Sequence, residues 1–164
     1  MTIYDKQGRR IRPFATTETA AWLEGIRPNI AATLTVMKAR RIHAGSSSYW
    51  VRGNELEYGW AYEKLVHDLS GKFLGRAYRR FGKLVPNFAC LEGDGENKRH
   101  HIHASFRCPD HIEQRAFMQS VEFHWKCMNP WALNDIKIEP IAGGWVGYSS
   151  KDGSEALLLN GISF

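Results

Sequence analysis

Residues 101–103 read His-Ile-His, and forty-five positions after His103 stands Tyr148, with Lys151 three residues further on. In an extended strand successive side chains face opposite ways, so His101 and His103 share one face and Ile102 takes the other. Two imidazoles on one face are available to a single metal ion. Glu92, nine residues before His101, is the third donor in reach, because the polar stretch 93–98 (Gly-Asp-Gly-Glu-Asn-Lys) reads as the connection of a hairpin. A hairpin closing near Glu96 sets Glu92 opposite His101 on the same face, at a cross-strand Cβ separation of about 5 Å. Two histidines and a carboxylate with open positions suit Mg²⁺ or Mn²⁺ polarising a phosphate, and a nearby tyrosine supplies a nucleophile. Paired strand histidines also occur without metal. Glu96 is a rival third ligand, although its place is in the loop, and His100 falls on the opposite face, packed or solvated.

These residues need a frame. Residues 1–15 are polar, basic and aperiodic and read as a flexible basic arm. A short helix is expected over 16–25, ended by Gly25 with Pro28 beyond, and a first strand over 30–37. Residues 40–53 have the composition of a loop. From 54 to 81 the apolar residues Leu56, Trp60, Leu65, Val66, Leu69, Phe73, Leu74, Ala77 and Phe81 keep a helical repeat, with a break expected near Ser70-Gly71. The hairpin follows over 84–92 and 100–107. A second helix is expected over 110–127, an outer strand over 135–140, and a terminal helix over 145–158 that is interrupted or ended near Gly153. This order predicts an α+β fold, a split βαβ sandwich with one antiparallel sheet and helices packed on it. At 164 residues it reads as one domain over 1–164.

Charge narrows the partners. Twenty-two Lys and Arg against seventeen Asp and Glu leave +5, which favours a polyanion. The excess gathers at Arg9, Arg10 and Arg12, at Lys38, Arg40 and Arg41, and at Lys72, Arg76, Arg79, Arg80 and Lys83. Trp50, inside the basic stretch 40–52, is the best aromatic candidate for a DNA contact, with that stretch and the arm expected to add salt-sensitive phosphate binding. Three cysteines, Cys90, Cys108 and Cys127, with no secretory signal and no long apolar run, predict free thiols in a soluble, cytosolic protein without a membrane partner. Cys108-x-x-His111 and His124-x-x-Cys127 invite a zinc reading. A helix between them would hold the two histidines about 20 Å apart, too far for one ion.

With its motifs in place, the chain resembles the HUH (His-hydrophobic-His) endonucleases, in particular the nicking domain of rolling-circle Rep proteins of single-stranded DNA viruses and plasmids. Thr33-Leu34-Thr35 resembles the first motif of that family. His101-Ile102-His103 resembles the second, with Glu92 at the spacing of the third metal ligand. Tyr148-Ser149-Ser150-Lys151-Asp152-Gly153 resembles the third, Tyr-x-x-Lys-Asp-Gly. Val36-Met37 replaces the aromatic and proline of many viral first motifs, and no Gly-x-x-x-x-Gly-Lys-Ser/Thr phosphate loop is present.

The resemblance implies an RRM-like sandwich with the histidines on a central strand and the tyrosine on the terminal helix. It implies a metal-dependent endonuclease that nicks and joins single-stranded DNA or an origin hairpin, initiating rolling-circle replication or mobilising a genetic element. Glu92, His101 and His103 would hold Mg²⁺ or Mn²⁺, and Tyr148 would form a 5′-phosphotyrosine and free a 3′-hydroxyl. Lys151 would favour the phenolate or hold the phosphate, while Asp152 either assists the metal or is exposed. A separate helicase and polymerase would act with it, in the cytoplasm of a bacterium or in the nucleus of a virus-infected host. Single-tyrosine transposases and relaxases share the histidine pair, but such transposases commonly carry Gln where Lys151 stands. A non-catalytic RRM-like nucleic-acid-binding module is the alternative from a different class.

Overall fold

The computed structural model describes residues 3–4, 10–11, 15–93, 99–151, 156–158 and 163. In chain order it contains β1 (Ile3–Tyr4), β2 (Arg10–Ile11), α1 (Ala15–Glu24), β3 (Ile30–Val36), β4 (Ala39–Ala44) and β5 (Ser47–Arg52). There follow α2 (Glu55–Leu74), α3 (Arg76–Phe81), β6 (Asn87–Glu92), β7 (His101–Phe106), α4 (Gln114–Met128), β8 (Ala132–Pro140) and α5 (Trp145–Ser149). The main sheet has the order β6-β7-β3-β8 with every neighbouring pair antiparallel. The path β3-α2-β6-β7-α4-β8 is therefore the expected α+β sandwich of split βαβ type, with β8 on an edge and β7 inside.

Strand alternation gives this sheet two unlike faces. On one, Ile30, Ala32 and Leu34 of β3 lie beside Phe106, Ala104 and Ile102 of β7 and beside Pro140, Ile138 and Ile136 of β8. The helices bury that face with Tyr58, Tyr62, Leu65, Val66 and Leu69 of α2 and Phe117, Val121 and Trp125 of α4, the stripe a 3.6-residue period produces. Asn54 fixes the start of α2 by accepting a hydrogen bond from the Glu57 amide at 3.0 Å. The other face carries Thr33, Thr35, His101, His103, Ser105, Glu92 and Cys90. A smaller apolar cluster of Leu23, Ile26, Phe88, Cys90, Val146 and Leu157 covers one end of it, beneath α1 and α5.

Four expectations are corrected. Residues 40–53 are not a loop: β4 and β5 pair over six residues about a Gly45-Ser46 turn in which Gly45 takes φ 61°. The long helix breaks at Gly75 (φ 49°), not at Ser70-Gly71. The Ser70 hydroxyl donates to the Val66 carbonyl at 2.6 Å and accepts from the Val85 amide at 2.9 Å, so it pins the helix there. The second helix starts at Gln114, because residues 109–112 form a turn closed by the Ile112 amide donating to Pro109 O at 2.9 Å. The terminal helix ends at Ser149, after which Leu157 bridges Cys90 and Ser163 bridges Asn87 along the open edge of β6. An edge strand offers unpaired N–H and C=O groups, and the returning chain satisfies them.

Within the expected arm, β1 and β2 pair as a small ribbon, and the remaining arm residues lie outside the described ones. Cys90 and Cys108 are buried and Cys127 exposed, and none of the three forms a disulfide. Among the described residues no helix is long and apolar enough to cross a membrane.

Candidate active site

The site begins with the register of the β6–β7 hairpin. Glu92 pairs with His101 and Cys90 with His103, so the carboxylate and both imidazoles share the polar face, as the sequence predicted. Gly93 makes this possible: at φ 107° a Cβ there would stand 2.4 Å from the Arg99 carbonyl oxygen, so only glycine lets the two chains approach so closely. The connection at residues 94–98, including the rival ligand Glu96, lies outside the described residues. His100 turns to the other side, its ring 5.6 Å from that of Tyr58.

Three donor atoms converge. His103 Nε2 lies 2.9 Å and His101 Nε2 3.4 Å from Glu92 Oε2, and the two Nε2 atoms are 3.1 Å apart. Neighbouring ligands on one divalent ion with bonds of about 2.1 Å stand about 3 Å from each other, so these side chains could hold such an ion without moving far. The opposite ring nitrogens are occupied. His101 Nδ1 lies 3.1 Å from the Arg99 carbonyl, which only accepts, so Nδ1 is the donor and the Nε2 edge is turned toward Glu92 and His103. His103 Nδ1 meets the Thr33 hydroxyl at 3.3 Å. Such outer partners orient metal-binding imidazoles.

Electrostatics shift two of the three donors, His103 and Glu92. Burial pushes His103 below the usual imidazole range, and the neighbouring His101 adds to this against the pull of Glu92. Burial alone would raise Glu92, but its hydrogen bond and ion pair with Lys151, followed by His103, hold the carboxyl below its ordinary value. Lys151 is raised in turn: burial opposes its charge, and Glu92 and then Tyr148 outweigh it. A histidine that resists its second proton and a carboxyl that ionises readily both favour a divalent cation.

Helix α5 brings the second half of the site across β7. Tyr148 is half exposed, its ring 5.4 Å from that of His103 and nearly perpendicular to it. Lys151 Nζ lies 2.7 Å from Glu92 Oε1 and 4.2 Å from the centre of the Tyr148 ring, so it touches both the carboxylate and the tyrosine. Tyr148 also lines a shallow hollow of about 220 Å³ with Ala31, Glu139, Gly143, Gly144 and Trp145. Asp152 and Gly153 lie outside the described residues.

Two contributors escaped the sequence reading. Thr33 was seen only as part of a strand motif, yet its register opposite His103 makes it that residue's orienting partner. Trp145 donates its indole N–H to Ser105 Oγ at 2.9 Å and sets its ring 5.4 Å from His103 and 6.0 Å from Tyr148. Its position three residues before Tyr148 was the available signal, since such helical neighbours share a face. The zinc alternative finds no support: Cys108 Sγ donates to backbone carbonyls, His124 pairs with Asp68 at 3.7 Å, and Cys127 is exposed. Among the described residues, Glu92, His101 and His103 are the group that could hold a metal ion, their ligand atoms all within 4.8 Å of one another. No protein-family model matches the chain, and no match is found among the curated proteins or the solved structures.

Proposed function

We propose that this protein is a metal-dependent endonuclease and strand transferase acting on single-stranded DNA or an origin hairpin, with Tyr148 as nucleophile, in the manner of the Rep domains it resembles. One observation carries the reading: a two-histidine, one-carboxylate group lies in direct contact with a half-exposed tyrosine and a lysine that touches both. A divalent ion such as Mg²⁺ or Mn²⁺ held by Glu92, His101 and His103 would withdraw charge from the scissile phosphate.

The chain's own residues do the rest. The Tyr148 hydroxyl loses its proton and its oxygen attacks phosphorus in line. The new Tyr–O–P bond replaces the bond to the 3′-oxygen, which leaves as a hydroxyl after taking up a proton. The 5′-phosphotyrosine keeps the phosphodiester energy, so the same 3′-hydroxyl can reverse the step and rejoin strands. Lys151 holds positive charge beside the tyrosine ring, where it can meet the phosphate, and the hollow beside Tyr148 leaves room for the strand. Strand unwinding and synthesis are not chemistry these residues supply and would need a helicase and a polymerase.

The test is a covalent adduct. Wild-type protein with Mn²⁺ and a pool of labelled single-stranded oligonucleotides should give a shifted band on a denaturing gel, lost in Tyr148→Phe and with EDTA. Salt-sensitive binding without any adduct across a broad pool would instead favour the non-catalytic binding module.

A further inference from the structure

The β4–β5 ribbon takes no part in the chemistry above, yet it carries positive charge and no acidic residue. Residues 38–53 include Lys38, Arg40, Arg41 and Arg52 and no Asp or Glu. Antiparallel partners share a face, so the register sorts the side chains into two sets. Arg40 with Val51 and Ile42 with Tyr49 form the inner set. At its base this set leans on the body, with Val51 against the main core and the Arg40 guanidinium 4.8 Å over the Trp131 ring. The Gly53 amide closes the base by donating to Lys38 O at 2.9 Å.

The outer set is Arg41 with Trp50, His43 with Ser48, and Ala39 with Arg52. Arg41, His43, Ser48, Trp50 and Arg52 are all exposed, Trp50 by 70 %. Arg41 is held in place by Ser48 Oγ, which accepts from Nε at 2.9 Å and Nη2 at 2.6 Å. A cationic face around one bare indole is complementary to a polyanion that also offers apolar contact, as the thymine methyl groups of a DNA major groove do.

Shape selects the form of nucleic acid. Two paired strands fit the major groove of B-DNA, about 12 Å wide, and six residues at about 3.4 Å each give a ribbon about 20 Å long. A-form RNA has a major groove too deep and narrow for such an element. The ribbon also springs from the end of the sheet that carries the metal-type group: Thr35 pairs with His101, and β4 begins at Ala39, at most about 14 Å of chain away.

From these observations we infer that the β4–β5 ribbon is a second binding element, one that grips double-stranded DNA through its major groove with Arg41, Trp50 and Arg52. That the duplex is the stem beside a nicked single strand rests on the proposed function; duplex binding itself does not.

The experiment is fluorescence anisotropy in EDTA with three labelled probes: a DNA hairpin whose stem of about 12 base pairs exceeds one helical turn, the matching RNA hairpin, and an oligo-dT strand. Arg41→Glu/Arg52→Glu should weaken DNA-hairpin binding by at least about 10-fold and flatten its salt dependence by about one to two phosphate contacts. Trp50→Ala should weaken it several-fold. Oligo-dT binding should stay within about twofold, and the melting curves should superpose, since all three side chains are exposed. Equal loss on oligo-dT, RNA-hairpin binding as tight as DNA, or no loss on any probe would each overturn the inference. Failure of the Tyr148 adduct would leave it standing, because nothing in this assay uses the tyrosine or a metal.

Discussion

The two faces of one four-stranded sheet do opposite work. On β7, Ile102, Ala104 and Phe106 are fully buried against α2 and α4, while His101, His103 and Ser105, one position out of step, make the polar face. The closed face gains from removing apolar area from water, about 25 cal/mol per Å². The open face does the reverse, holding a carboxylate and two imidazoles where water is half excluded. Because both sets sit on one rigid strand, packing behind the sheet fixes the positions of the donors in front of it. A one-residue slip in register would exchange the faces and destroy both.

The sharpest way to separate the two faces is to cut into the closed one. Phe106→Ala should lower stability by about 3–5 kcal/mol in urea denaturation. His101→Ala, on the open face, should change it by about 1 kcal/mol or less while abolishing Mn²⁺ binding in calorimetry. A large loss of stability from both would show that the open face is structural. A finer cut is Thr33→Val, which keeps shape and removes the hydroxyl facing His103 Nδ1. Metal affinity should drop about 10–100-fold with the melting temperature nearly unchanged; unchanged affinity would mean Thr33 does not orient the imidazole.

The smallest effect lies in pH. His103 sits below its ordinary value of 6.5, so it adds nothing to stability above that pH. Below it the unfolded chain takes up the proton first, and stability falls as pH falls through 6.5 toward the folded value. Glu92, held below 4.5, stabilises the fold above that pH, and this is lost as acid protonates it in the folded state. Urea titrations of metal-free protein from neutral pH downward should show a monotonic decline, and His103→Gln should remove its upper part.

Much of the polar face was legible because a period of two and a short polar connection leave few ways to close a hairpin. Glu92 opposite His101 followed from that alone. The β4–β5 ribbon was not legible, since Arg-Arg and Ser-Ser-Ser carry no apolar alternation and the strands are held mainly by each other. The end of α5 was hidden for another reason. Ser149 and Ser150 both turn their hydroxyls to the Val146 carbonyl, a local bond that competes with the helix, and the pull of the β6 edge has no signature in the segment it captures. Gly71 misled because its cost of about 1 kcal/mol is outweighed by the burial of its neighbours Leu69 and Ser70 in the same helix.

The capture of Leu157 by β6 has a mechanical meaning. The segment bearing Tyr148 leaves the sheet from β8 at one edge and is fastened again at β6, the opposite edge. It is a strap anchored at both ends, not a free tail. On the proposed function, a DNA strand joined to Tyr148 and pulled by moving replication machinery would load both edges at once. The tension would spread as shear over the ladders of the whole sheet, and the protein would resist being peeled open by its own cargo.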